Sequence, residues 1–275
     1  MWTLSGFADE ISPDLAAQCE ALAGLGLRNM EFRSVEGCNV VDLTDDQLGR
    51  VRDTLDAARI GVTCIGSPLG KSPVTEPFEV QQPRFARALR AAELLDCPYV
   101  RVFSFFLPEG GTPEVHRDEV LRRMSWLAAE AERHDVTLVH ENETGVYGET
   151  PQRCVDLFEG VGSAHLRATW DSANYVHAGL APFTDAYEIV RPYLVHLQIK
   201  DCSRGSGENV PAGRGDGQLP ETLAALRDDG FDGVLSLEPH LSAREGMIGF
   251  SGPELFGTAT TALTGLLDAA GVDWR

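Results

Sequence analysis

Eight short β-type runs alternate with helix-type stretches from one end of this 275-residue chain to the other. The runs fall at 2–7, 28–33, 62–66, 99–103, 136–141, 166–171, 194–200 and 234–238. Helix-start signals lie between them. Ser12-Pro13 reads as an N-cap followed by proline in the first turn. Thr44 with Gln47 reads as a capping box, and Thr150-Pro151 and Ala181-Pro182 as further starts. Helix-length patterns cover 83–95 and 115–134, and Gly24, Gly26, Gly61 and Gly230 stand where a helix must stop before a strand. No low-complexity linker divides the chain. Eight βα units in one chain of this length predict a single (β/α)8 TIM barrel, an α/β fold with residues 1–275 as one domain. A doubly wound open sheet is the alternative. It normally has fewer strands, and no glycine-rich dinucleotide fingerprint follows the first run.

Four runs in the second half carry polar residues at the same phase. VTLVHE ends at Glu141, LRATWD at Asp171 and GVLSLE at Glu238, while LVHLQIKD holds His196 and Gln198. In a closed parallel sheet the C-terminal strand ends converge, so these groups gather at one mouth. Oxygen and nitrogen donors of this kind suit a hard or borderline divalent cation: Mn²⁺ first, with Mg²⁺, Co²⁺ or Zn²⁺ as alternatives. Side-chain alternation sharpens the expectation. Leu235 and Leu237 should face the helices, leaving Ser236 and Glu238 inside. Val195, Leu197 and Ile199 form one face of their run, and His196, Gln198 and Lys200 the other. By the same rule Glu31, Arg33 and Arg101 point inward. Buried charges are costly unless paired or metal-bound, so several together favour a polar site over a packed core.

The formal charge of −19 argues against nucleic acid, anionic membranes and polyanionic substrates. No run approaches the roughly 20 apolar residues of a membrane span. The start, MWTLSGFADE, lacks the pattern of a secretory signal. Six cysteines without a CxxC pair read as free thiols, and a cytoplasmic location is expected.

The segments HENETGVYG, TWDSANYVHAG, VHLQIKD, PAGRGDG and LSLEPH, with GFADEIS, MEFRSVEG and GSPLGK earlier, resemble the sugar phosphate isomerase/epimerase family with a xylose isomerase-like barrel. The resemblance spans nearly the whole chain. It implies a barrel that holds a divalent metal through Glu, Asp, His and Glu. Glu141, Asp171 and Glu238 match three of these ligands. The fourth position is Gln198 here, and its amide oxygen would complete an all-oxygen set. His196 is the alternative, but it lies two residues, about 6–7 Å, further from the strand end.

The chemistry this implies is isomerisation or epimerisation of a sugar, keto sugar or polyol through an enediolate, with Glu141 and Glu238 as proton-transfer groups. A carboxylate bound to metal is a weakened base, so Glu143, His177 and His240 are further catalytic candidates. Arg33, Arg101, Asn174, His196 and Lys200 are candidate substrate contacts, with Asn174 and His177 expected in a loop over the site. His140, of opposite parity to Glu141, should pack toward helices. PAGRGDG after the seventh run reads as a flexible loop suited to a lid, or as a plain solvated turn. The rival functions are β-elimination from a 3-keto glycoside, dehydration, and a non-catalytic metal-stabilised sugar-binding barrel. The expected partner is a small carbohydrate, and a homo-oligomer is compatible with the sequence.

Overall fold

The computed structural model describes residues 1–242 and 250–275. Its frame is eight parallel strands: β1 (Thr3–Gly6), β2 (Asn29–Phe32), β3 (Gly61–Ile65), β4 (Tyr99–Val102), β5 (Thr137–Glu141), β6 (Leu166–Asp171), β7 (Leu194–Ile199) and β8 (Val234–Leu237). They pair in the order β1-β8-β7-β6-β5-β4-β3-β2. This is a nearly closed TIM barrel, as the alternation predicts. At the seam between β1 and β2, Asn29 Nδ2 donates to Leu4 O at 3.1 Å. Residues 2 and 4 also pair with residues 273 and 275. Trp2 and Leu4 N–H groups each donate at 2.8 Å, to Asp273 O and Arg275 O, and Arg275 N–H donates to Trp2 O at 2.9 Å.

The helices are α1 (Leu15–Gly24), α2 (Asp45–Ala58), α3 (Gln82–Leu94), α4 (Pro113–Arg133), α5 (Pro151–Val161), α6 (Ser172–His177), α7 (Leu219–Asp228) and α8 (Gly252–Ala270). Thr44 caps α2 with a full capping box: Thr44 N–H donates to Gln47 Oε1 at 2.9 Å, and Gln47 N–H to Thr44 Oγ1 at 3.3 Å. Thr150 caps α5, with Pro151 in its first turn. Two expectations at helix ends need correction. The cap of α1 is Asp14, whose carboxylate accepts from Ala17 N at 2.8 Å, while Ser12 Oγ merely accepts from Asp14 N. Arg59, at φ 57°, takes the left-handed stop of α2, so Gly61 opens β3 instead of ending the helix. Ala181-Pro182 opens a helical segment as expected. A π-helical stretch over Phe183–Tyr187 continues into an α-helical turn at Glu188–Val190 and ends in a tight turn at Arg191–Tyr193, where Pro192 brings no N–H to continue.

The strand faces divide by parity. Met30, Phe32, Val100, Val102, Leu138, Leu197, Ile199, Leu235 and Leu237 belong to the apolar core, which forms between sheet and helices. Burying each large side chain contributes about 1.5–3 kcal/mol. A barrel interior is commonly filled by Val, Ile and Leu. Here Ser5, Glu31, Cys64, Arg101, Thr169, His196, Gln198 and Ser236 are all buried. The interior is polar, and the apolar core outside it carries the fold.

Candidate active site at the barrel mouth

Glu141 ends β5, Asp171 ends β6, and Glu238 follows β8 directly. Register explains their meeting: Glu141 pairs with Thr169, Asp171 with Gln198, and Gln198 with Ser236, two residues before Glu238. One carboxylate oxygen from each of the three lies within 4.8 Å of the others. All three side chains are buried. Asp171 serves two ends at once. Its Oδ1 caps α6 by accepting from Asn174 N at 2.9 Å, which leaves Oδ2 turned to the site.

Three cations face this charge. Lys200 Nζ stands 2.6 Å from Asp171 Oδ2 and 3.5 Å from Glu238 Oε2. Arg101 Nη1 stands 3.1 Å from Glu141 Oε2 and 3.5 Å from Glu238 Oε1. Arg33 bridges Asp9 Oδ2 at 2.8 Å and Glu238 Oε1 at 3.1 Å. Aromatic faces hold the guanidinium groups: Arg33 lies 4.4 Å and Arg101 4.9 Å from the Phe7 ring centroid. The cations are shared unevenly. Burial alone would raise Glu238, but Lys200, His240, Arg101 and Arg33 together hold it well below the usual carboxylate range. Burial pushes Glu141 up to about 8, with Arg101 opposing and Glu238 adding to the rise. Asp171 is pushed up to about 6 by burial against the pull of Lys200.

The other expected residues separate into those at the mouth and those elsewhere. Asn174 lies in α6 instead of a loop, because Asp171 caps a helix there. Its Nδ2 donates to Glu141 Oε1 at 3.2 Å and to Asn142 O at 2.9 Å, so it orients a site carboxylate. His177 ends the same helix, exposed, where it feels Lys200 and Glu143. Glu143 is paired with Lys71, Oε2 to Nζ at 2.6 Å. Burial works to raise Glu143, but Lys71 prevails and keeps its carboxyl below the usual range. His240 Nε2 stands 3.3 Å from Glu10 Oε1 and 3.6 Å from Glu238 Oε1, and burial pushes its imidazole down to about 4. His196 does not join the three carboxylates. It is fully buried one step down β7, with Nδ1 2.7 Å from Thr169 Oγ1 and Nε2 3.3 Å from Glu31 Oε2. His140 packs outward as parity requires, 6.2 Å centroid to centroid from Phe158 of α5.

The PAGRGDG segment is neither a free lid nor a simple solvated turn. The Asp201 carboxylate accepts four backbone N–H groups: Cys202 and Gly217 on Oδ1, each at 2.9 Å, and Gly213 at 2.9 Å with Gly215 at 3.0 Å on Oδ2. A Cβ at Gly215 would fall within 2.4 Å of Asp201 Oδ1, so glycine is required for the approach.

Several supporting residues were not singled out from the sequence. Asn142 joins two strand ends, donating to Asp171 O at 2.8 Å and accepting from Asp171 N at 2.9 Å. Glu10 accepts from His240 N at 3.0 Å and Ser251 Oγ at 2.7 Å. Asp9 anchors Arg33 and Ser34. The signal for Asp9 and Glu10 was the same one that revealed the three carboxylates: acidic residues just past a strand end.

Could this mouth hold a divalent cation? Gln198 Oε1 is a buried atom without a hydrogen-bond partner, and Glu141 Oε2 and Asp171 Oδ2 have no partner beyond their ion pairs with Arg101 and Lys200. Gln198 Nε2 is engaged by Glu31 at 3.2 and 3.1 Å, which leaves its carbonyl oxygen open. Buried acceptors normally find donors, and the oxygen set fits a hard or borderline cation.

Fold and sequence agree on the class. The chain belongs to the xylose isomerase-like TIM barrel family, which it matches over residues 19–253. Among individual proteins it is similar to the 2-epi-5-epi-valiolone 7-phosphate 2-epimerase of Actinoplanes sp., 29% identical over 219 residues and covering 79% of each chain. A solved D-tagatose 3-epimerase-like protein shares the fold with a TM-score of 0.79 at 19% identity, over 98% of both chains. A D-psicose 3-epimerase does so with a TM-score of 0.76 at 18% identity, over 98% of this chain and 99% of that one.

Proposed function

We propose that this protein is a divalent-metal-dependent epimerase or isomerase of a sugar, keto sugar or polyol, working through an enediolate. The observation that carries the reading is the meeting of Glu141, Asp171 and Glu238 oxygens within 4.8 Å at the barrel mouth. Membership of a family with an epimerase relative supports it. Glu141, Asp171, Glu238 and Gln198 would hold the metal. Once bound, it would supply Lewis-acid polarisation of neighbouring carbonyl and hydroxyl oxygens.

The chain's own groups supply the rest. Glu141 and Glu238 reach the site from different strands, so one carboxylate can take the carbon-bound proton and the other return it on a second face. Asn174 fixes Glu141, and Arg33 fixes Glu238. Arg101 and Lys200 offset the negative charge that develops on the substrate. Glu143, His177 and His240 stand at the rim as acids or bases for the departing or returning proton. Phe7 and Phe103 form apolar walls behind the cations and limit water.

We favour an unphosphorylated substrate. Arg33, Arg101 and Lys200 are committed to carboxylates, and Lys71 to Glu143, so none of these four is free to grip a phosphate. The phosphate in the relative's name points the other way, and a substrate pair differing only in that group decides the question.

The test is a screen of sugars, keto sugars, their phosphates and 3-keto glycosides in D₂O with Mn²⁺. The expected result is deuterium at the carbon that changes configuration, lost on chelation and restored by metal. Elimination in place of epimerisation would identify the lyase reading. Tight sugar binding without exchange at carbon would identify a binding protein.

A further inference from the structure

Beneath the mouth the barrel interior holds a second group of donors of different chemistry. Glu31 of β2, Cys64 of β3 and His196 of β7 each offer one ligand atom, and the three atoms lie within 4.8 Å of one another. Exposure of all three residues is 1% or less. His196 Nε2 stands 3.3 Å from Glu31 Oε2 yet makes no hydrogen bond. Its Nδ1 lies 2.7 Å from Thr169 Oγ1. With Nδ1–H donating to that hydroxyl, the lone pair of Nε2 points into the group. Gln198 Nε2 steadies Glu31 from behind, donating to both carboxylate oxygens.

A buried Glu31–His196 ion pair accounts for one of these contacts. In that arrangement the thiol has only a contact with Ile65 O at 3.7 Å and one with Glu31. A coordinated cation accounts for all three groups. In a tetrahedral zinc site with Zn–N and Zn–O of about 2.0–2.1 Å, nitrogen and oxygen ligands stand about 3.3 Å apart. A carboxylate, a thiolate and a neutral imidazole around a dication sum to zero charge, which removes the cost of burying net charge. Sulfur with nitrogen selects the zinc and cobalt class over Mg²⁺ and Mn²⁺.

We propose that Glu31, Cys64 and His196 form an internal binding site for one borderline-soft divalent metal ion of the zinc class, distinct from the oxygen donors at the mouth. The ion ties β2, β3 and β7 together across the barrel. Uptake replaces the Cys64 S–H bond with a metal–sulfur bond and releases that proton to solvent. Burial, reinforced by Glu31, pushes the free thiol well above its ordinary value, so without the ion it stays protonated. The inference does not depend on the function assigned to the mouth.

Cobalt(II) is the probe, because thiolate ligation gives an intense near-ultraviolet charge-transfer absorption that oxygen ligands do not. Metal-stripped intact protein is loaded with Co²⁺ by long incubation and, in parallel, by refolding in its presence. The expected result is the thiolate band, with about one proton released per ion that produces it. Cys64→Ser should lose the band and keep Co²⁺ at the mouth. Glu238→Gln should weaken the mouth and keep the band. Absence of the band after both loading routes overturns the proposal, and this wild-type measurement stands even where a variant fails to fold. A band that survives Cys64→Ser overturns it as well, and so does one that disappears in folded Glu238→Gln.

Discussion

Replacing Asp201 by Asn tests how the glycine loop is held. The carboxylate accepts four backbone N–H groups, two on each oxygen. An asparagine can keep only the pair on its carbonyl oxygen. Its NH₂ group then faces the other two N–H donors, so two bonds are lost and donors oppose donors. Bonds to a charged acceptor contribute about 1.5–3 kcal/mol each. Gly213 is exposed and Gly215 half-exposed, so water recovers part of that. A net loss of about 3 kcal/mol is expected, or roughly 6–12 °C in Tm at 2–4 °C per kcal/mol for a chain of this size. Proteolysis gives an independent readout, because exposed Arg214 lies inside the loop. Trypsin should cut after Arg214 much faster in Asp201→Asn than in the natural chain, at a temperature where both remain folded. Asp201→Ala should behave alike. A Tm within about 2 °C of the natural protein, with no faster nicking at Arg214, would refute the claim that this carboxylate organises the loop.

Chelation should abolish exchange at carbon and lower Tm, and Glu238→Gln should lose metal and activity together; full activity with metal content verified as nil would rule out the mechanism. Glu143→Gln, His177→Ala and His240→Ala should keep metal, and whichever serves as outer acid or base should lose roughly 10²–10⁴-fold in exchange rate. If all three retain near-normal rates, proton transfer belongs to Glu141 and Glu238. Leu237→Ala, at a fully buried outward position, should cost about 2–5 kcal/mol in urea unfolding without altering metal content. Asp156 accepts two strong bonds from Arg117 and one from Tyr147 OH, and these hold its carboxyl below the ordinary value. A depressed folded-state value stabilises above the unfolded one and is lost on acidification, so Asp156→Ala should lower Tm near neutral pH and converge on the natural protein below about pH 4.

The barrel was legible because its information is local and repeated: a β-type run followed by a helix-type stretch recurs eight times, with cap and stop residues at several of the junctions. Glu141, Asp171 and Glu238 were legible for the same reason, since a strand end is a position that one chain segment can declare. What failed were features that need two distant segments. Cys64 faces Glu31 only through a register shift between Met30 and Glu31, which parity within either strand cannot reveal. Glycine content made PAGRGDG look loose, but the small residues are there to let the backbone close on Asp201. The α6 helix is hard to see in the sequence because its cap, Asp171, is also a strand-end site carboxylate, so one residue carries two signals.

The seam between β1 and β2 has a consequence for the order of assembly. The β1 region pairs with β8 and with residues 273–275, more than 200 positions away, and Asn29 of β2 reaches it through Leu4 O. Its ladder cannot form until β8 and residues 273–275 have been synthesised. Until then the strand carries unpaired donors and apolar Trp2 and Leu4, and such exposure favours aggregation. Contacts this distant in sequence also slow folding. The step that commits the barrel to its native state is therefore the arrival of β8 and residues 273–275 at β1, so truncation before β8 should leave an open sheet instead of a smaller barrel.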